Sequence, residues 1–158
     1  LTGLWRGQPF SYEGTHYKIR PTEFMIPPSP IQQPRIPIWV VGAWNRSKSM
    51  ARVLKYDGIL PNPLTPEGDH RPLTTEDVRA IRANVADNRT ETTPFDIVAE
   101  GTTPGDRPDE AADIVQSWAE AGATWWIEAM WSIFDQPDIE ESVRRRVEQG
   151  PPRIEGKR

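Results

Sequence analysis

Short apolar runs of strand length alternate along this chain with longer stretches whose apolar residues recur every three or four positions. Ile36-Pro37-Ile38-Trp39-Val40-Val41 is nearly continuous apolar chain between prolines and Gly42, which reads as a buried parallel strand. Met50, Val53 and Leu54 then repeat at helical spacing, with a cap expected from Asn45 or Ser47 and a helix running toward Tyr56. Tyr56-Asp57-Gly58 turns back into Ile59-Leu60, so strand, helix and strand fit in about twenty-five residues, near the minimum for a right-handed crossover. The alternation continues. Pro61 to Leu73 reads as a loop, and Thr74-Thr75-Glu76-Asp77 as a capping box opening a helix with Val78, Ile81 and Val85 inward, ending near Asn88. Phe95 to Ala99 is the next strand, closing on Glu100-Gly101-Thr102. Pro108 suits a first helical turn, Ala111, Ile114, Val115 and Trp118 form the inward stripe, and Gly122 stops that helix. Thr124 to Met130 is the last strand, Trp131 to Pro137 a loop, and a final helix runs from about Asp138 to Gly150 with acids first and Arg144, Arg145 and Arg146 toward its end.

The first thirty-five residues break this rhythm. Phe10-Ser11-Tyr12 and His16-Tyr17-Lys18-Ile19 flank Glu13-Gly14-Thr15, a hairpin pattern. The proline-rich stretch Pro21 to Pro37 reads as a stiff extended connector, with Phe24, Met25 and Ile26 expected to cover the side of the fold.

Composition narrows the function classes. A chain of 158 residues suits one domain with a modest core, and a net charge of −4 with mixed signs argues against a nucleic-acid partner. With no cysteine and only His16 and His70, neither a disulfide framework nor a structural metal centre is expected. No apolar run has membrane-spanning length and no secretion signal is read, so the expected location is cytoplasmic, without membrane association. Asn45-Arg46-Ser47 and Asn88-Arg89-Thr90 match a glycosylation tripeptide but read as caps and turns. His16 reads as a hairpin residue and His70 as a solvated loop residue.

Four stretches carry a resemblance: Trp5 to Tyr17, Pro34 to Gly42 with Arg52 to Gly58, Ala121 to Trp126, and Arg144 to Arg153 ending in Gly150-Pro151-Pro152-Arg153. In that order and spacing they resemble the second half of the bacterial luciferase-like family of flavin-dependent oxidoreductases, which includes deazaflavin-dependent members. The resemblance implies an α/β fold, the C-terminal half of a (β/α)8 TIM barrel with about four parallel strands, preceded by a hairpin insertion. Such barrels need roughly 250 residues. The expectation is therefore a single N-terminally truncated luciferase-like domain over 1–158, made of a hairpin and proline-rich connector (1–35), a half-barrel (36–150) and a tail (151–158).

In relatives, the strand end matching Ile38 to Gly42 helps hold the flavin or deazaflavin phosphate. The resemblance thus makes Gly42, Ala43, Trp44 and Asn45 the candidate cofactor-binding residues, with FMN as the expected cofactor and a deazaflavin coenzyme as the alternative. Many relatives have Gly-Gly where this chain has Gly42-Ala43. Arg46, next in sequence, could reach a phosphate. The implied chemistry is cofactor-mediated hydride transfer or oxygen activation, as in a monooxygenase, on a small organic substrate. No catalytic acid or base is assigned, because much of the ring-binding surface belongs to the N-terminal half.

Two other readings stay open. Glu100 and Glu128, at neighbouring strand ends beside Trp125, Trp126 and Trp131, have the ingredients of a glycoside hydrolase, unless Glu128 faces outward or pairs with an arginine. Alternatively, a non-catalytic half-barrel with two open sheet edges would self-associate as a homo-oligomer or pair with its missing half.

Overall fold

Trp39, Gly58, Asp96 and Trp125 each begin a strand, and together they show how the main sheet is built. The structure, a computed structural model, describes residues 2–7, 9–23, 28–135 and 137–154. Phe24, Met25 and Ile26, and the last four residues of the tail, lie outside them. Strand β3 (Trp39–Trp44), helix α2 (Ser47–Val53), β4 (Gly58–Pro63), α3 (Thr75–Asn88), β5 (Asp96–Gly101), α4 (Pro108–Ala121), β6 (Trp125–Glu128), a 3-10 turn (Trp131–Asp135) and α5 (Ile139–Gln149) follow in order. The four strands are parallel and lie side by side in chain order. A singly wound parallel sheet flanked by helices is a partial (β/α)8 barrel, in agreement with the sequence.

Register sorts the side chains into two faces. Paired residues share a face and neighbours along a strand alternate. Val40, Gly42 and Trp44 therefore line up with Ile59, Pro61 and Pro63, then with Ile97, Ala99 and Gly101, then with Trp126 and Glu128. This face meets the helices: Trp44, Met50, Val53, Ile59, Val78, Ile81, Ile97 and Ala121 form one buried cluster. Fully burying a side chain such as Ile59 or Ile81 contributes about 1.5–3 kcal/mol.

The opposite face is exposed in part. Val41 is 58% and Trp125 53% exposed. At the N-terminal ends of the strands this face has a floor. Trp39 Nε1 donates to Asp96 Oδ2 at 3.0 Å, Thr124 Oγ1 donates to Asp96 Oδ1 at 3.0 Å, and the Trp39 and Trp125 rings lie 5.3 Å apart. Gly58 is required here, since a Cβ would fall 2.6 Å from Trp39 Cδ1.

Local signals come out as expected at three helix boundaries. Thr74 and Asp77 form the capping box of α3, Pro108 opens α4, and Gly122 closes α4 with φ of 116°. Helix α2 departs from expectation. It has seven residues and ends at Val53, with Ser47 already inside it and Arg46 at the N-cap without a side-chain cap. Asn45 is not a cap either: it adopts the left-handed conformation (φ 72°), which turns the chain out of β3 and which asparagine tolerates better than most residues. Ser49 takes over the anchoring, accepting the Ala43 N–H at 3.0 Å. Part of the loop expected over 61–73 is strand, because β4 continues to Pro63 and Leu64 bridges to His70.

Residues 1–38 form a separate compact unit. It contains a short helix α1 (Thr2–Trp5) and the antiparallel hairpin β1 (Phe10–Glu13) and β2 (Lys18–Thr22), with Tyr12 opposite Ile19 and Glu13 opposite Lys18. The second strand starts two residues later than its aromatic pattern suggests, leaving His16 and Tyr17 exposed in the turn.

Candidate functional site

Parallel β/α sheets place their chemistry at the strand C-termini, so the ends of β3 and β4, and of β5 and β6, are the positions to compare. At the end of β3, Gly42 lies on the helix face. A Cβ there would sit 2.7 Å from Ile59 Cδ1 and 2.8 Å from Val53 Cγ2, so its small size makes room for the core. Ala43 is half-buried on the open face with its N–H taken by Ser49, and Trp44 is buried against α2. Asn45 is exposed, and beside it a cavity of about 330 Å³ is lined by Asn45, Arg46, Leu64, Thr65, Pro66 and Arg71.

The two arginines of this cavity differ. Arg71 binds Asp77 through both guanidinium nitrogens, at 2.7 Å each. That pairing, with hydrogen bonds from Thr74, outweighs burial and holds the Asp77 carboxyl down at about 2. Arg46 instead donates to the Thr65 carbonyl at 3.4 Å, and among the described residues it forms no ion pair. A cation beside a cavity at a strand end, without a carboxylate partner, is suited to an anionic ligand.

The end of β6 is built differently. Glu128 accepts from the Thr103 N–H at 2.6 Å, the Thr103 hydroxyl at 2.8 Å and Trp126 Nε1 at 3.2 Å, and it pairs with Arg146 at 3.2 Å. Arg146 also donates to Thr103 Oγ1 at 2.8 Å and to the Gly150 carbonyl at 2.6 Å. Burial pushes the Glu128 carboxyl up, but these four donors outweigh it and hold the group below the ordinary carboxylate range. Glu128 therefore ties β6, the loop after β5 and α5 together through its carboxylate.

This overturns the two-carboxylate reading. Glu100 is opposite Ile127 and Glu128 opposite Gly101, so the two side chains leave opposite faces of the sheet and cannot flank one glycosidic bond. A carboxylate held ionised by four donors is also a poor general acid.

The sequence allows an arginine partner for Glu128 but does not identify it as Arg146, and it does not point to Thr103 or to Arg71 in this site. Arg71 stands just before a recognised capping box, the one local hint of its role. His16 and His70 are both exposed, and His70 bridges to Leu64 just past the end of β4. Among the described residues no cluster of three or more His, Cys, Asp or Glu has the arrangement of a metal site, and no helix is long and apolar enough to cross a membrane.

A singly wound parallel sheet with its ligand-suited cation at a strand C-terminus defines a β/α-barrel protein. The chain belongs to the luciferase-like monooxygenase family, whose model matches residues 1–153. At family level this supports a flavin-type oxidoreductase. No curated protein and no solved structure matched the chain.

Proposed function

We propose that this chain carries the phosphate-holding side of the cofactor site of a flavin-dependent oxidoreductase, with FMN as cofactor and a deazaflavin coenzyme as the alternative. The observation that carries this reading is Arg46, a cation without a carboxylate partner among the described residues, facing the cavity beside Asn45. Of Gly42, Ala43, Trp44 and Asn45, Asn45 alone lines the cavity; Gly42 and Trp44 hold the strand end from the core side, and Asn45 bends the backbone so that Arg46 follows at the cavity. A phosphate fits a donor set of one guanidinium and nearby backbone better than an uncharged ring does.

When bound, the cofactor ring supplies hydride transfer or oxygen activation on a small organic substrate. The chain's own residues bind and orient. Arg46 would neutralise the phosphate, while the Asp96–Trp39–Trp125 contacts fix the opposite end of that face. Glu128 is committed to Arg146 and Thr103, so no acid or base step is assigned to it. A cytoplasmic setting belongs to the same proposal.

Titration of the chain with FMN and, separately, a deazaflavin coenzyme, followed by tryptophan and flavin fluorescence, tests this. Saturable binding weakened about tenfold or more by Arg46→Ala is expected, since a hydrogen bond to a charged group contributes about 1.5–3 kcal/mol. Binding that is indifferent to Arg46→Ala in a folded variant would contradict it. Gly42→Val is a poor probe, because the added methyls meet Ile59 and Val53 before they meet any ligand.

A further inference from the structure

The cavity beside Asn45 has two walls. Asn45 and Arg46 follow β3, while Leu64, Thr65, Pro66 and Arg71 follow β4, its neighbour in the sheet. The second wall is a closed loop. Leu64 bridges to His70, the Thr65 N–H donates to the Asp69 carbonyl at 2.8 Å, the Asp69 N–H to the Thr65 hydroxyl at 3.2 Å, and the Gly68 N–H to the Thr65 carbonyl at 3.0 Å. Gly68 makes the turn with φ of 104°, in the left-handed region that favours glycine. These bonds fix the loop's shape, and the residue that follows it fixes its place. The Arg71 N–H donates to the Pro63 carbonyl at 3.1 Å, and the Arg71 guanidinium grips Asp77 in the first turn of α3 through two bonds of 2.7 Å. Asp77 is only 8% exposed and also accepts the Thr74 N–H at 3.0 Å and the Thr74 hydroxyl at 2.9 Å. A two-pronged guanidinium–carboxylate pair sets direction as well as distance, and α3 is itself seated in the core through Val78 and Ile81.

The loop in turn meets Arg46. The Thr65 carbonyl accepts from Arg46 Nη2 at 3.4 Å, and a Cβ at Gly68 would stand 3.9 Å from the same nitrogen. We infer that Asp77 is a positioning residue for Arg46: Asp77 holds Arg71, Arg71 holds the 64–70 loop, and the Thr65 carbonyl of that loop aims the Arg46 guanidinium at a phosphate in the cavity. This rests on the reading of Arg46 as the phosphate-holding group and adds what sets its direction. One of the five guanidinium N–H donors is taken by Thr65, which orients the others without using them up. Charge alone makes the opposite prediction. Asp77 neutralises Arg71, so removing its charge would leave a second uncompensated cation lining the cavity and tighten the hold on an anion. Positioning requires that the same change weaken it.

Titration of the chain with FMN and with riboflavin, which lacks the phosphate, tests this in Asp77→Asn and in Arg71→Lys. The first keeps the side-chain shape and loses the charge; the second keeps the charge and loses the two-pronged grip. The preference for FMN over riboflavin is expected to fall about three- to tenfold in each, with riboflavin affinity unchanged, and Asp77→Asn should cause no further fall in an Arg46→Ala background. A loss of stability alone moves both ligands together and leaves their ratio where it was. Should Asp77→Asn fail to give the circular dichroism spectrum of the parent, Arg71→Lys decides. An FMN preference that rises in Asp77→Asn, that stays intact in folded Arg71→Lys, or that falls as far with Arg46 absent as with it present overturns the inference. If Arg46→Ala abolishes the preference while both clamp variants retain it, the inference fails and the cofactor reading stands; a parent chain with no preference for FMN removes both.

Discussion

The two sides of the strand-end mouth use arginine in opposite ways. At the end of β6, Arg146 is enclosed with Glu128, Thr103 and the Gly150 carbonyl, and each of these groups has its partner inside the chain. At the end of β3, Arg46 stands beside a cavity with one long contact to a carbonyl. An arginine tied by several partners inside the chain makes a brace, even though its Nε is left without one among the described residues, and one with a single long contact leaves affinity for a ligand, so the residue that stands out for function is not the most heavily bonded one.

The largest expected effect separates the two sides by stability. Glu128→Ala strands the Arg146 guanidinium in a half-buried setting and should cost about 3 kcal/mol in urea unfolding, while any folded fraction keeps its flavin affinity. A loss of less than about 0.5 kcal/mol would mean that the brace is solvated and contributes little. Next comes Gly42→Val, whose methyls must displace Ile59 and Val53 and should cost about 1–3 kcal/mol through overpacking. Stability unchanged by this substitution would mean that the β3–α2 seam is loose, and Gly42 could then serve a ligand directly.

Acid sharpens the contrast between the two arginines of the cavity itself. Asp77 has its carboxyl lowered in the folded state by Arg71 and Thr74, so its contribution is fully present above the unfolded pKa near 4 and is lost as pH falls through about 2. After allowance for partial solvent exposure this amounts to on the order of 1–2 kcal/mol. Urea midpoints between pH 6 and pH 2 should therefore fall less steeply for Asp77→Asn than for the parent chain. Parallel curves would show that the Arg71 clamp does not persist in solution. Smallest in stability is Arg46→Ala, expected within about 0.5 kcal/mol of the parent because the side chain is exposed and makes only one long hydrogen bond, to the Thr65 carbonyl.

How legible these features were follows from the range of the interactions behind them. The α3 capping box, Pro108 at the start of α4 and Gly122 at its end were readable because each is settled within three or four residues. The order of strands and helices was readable too, since period and turn residues specify a singly wound β/α pattern. The short α2 was not. Its boundary depends on Asn45 turning left-handed and on Ser49 reaching back to Ala43, choices made by the way β3 meets the core. That Glu128 pairs with an arginine was within reach of the sequence, but not which one, because its partners sit 25 residues away at Thr103 and on α5 at Arg146. In the sequence, Arg144, Arg145 and Arg146 look alike; in the fold, the first two pair with Glu140 and Glu141 on the wet side and only the third turns inward.

The most direct test of the Arg46 site compares FMN with riboflavin, which has the same ring and no phosphate, on the parent chain and on Arg46→Ala. The account predicts that the parent prefers FMN by about tenfold or more and that the preference disappears in Arg46→Ala while riboflavin affinity is unchanged. A preference for FMN that survives in Arg46→Ala, or no preference in the parent chain, would contradict it.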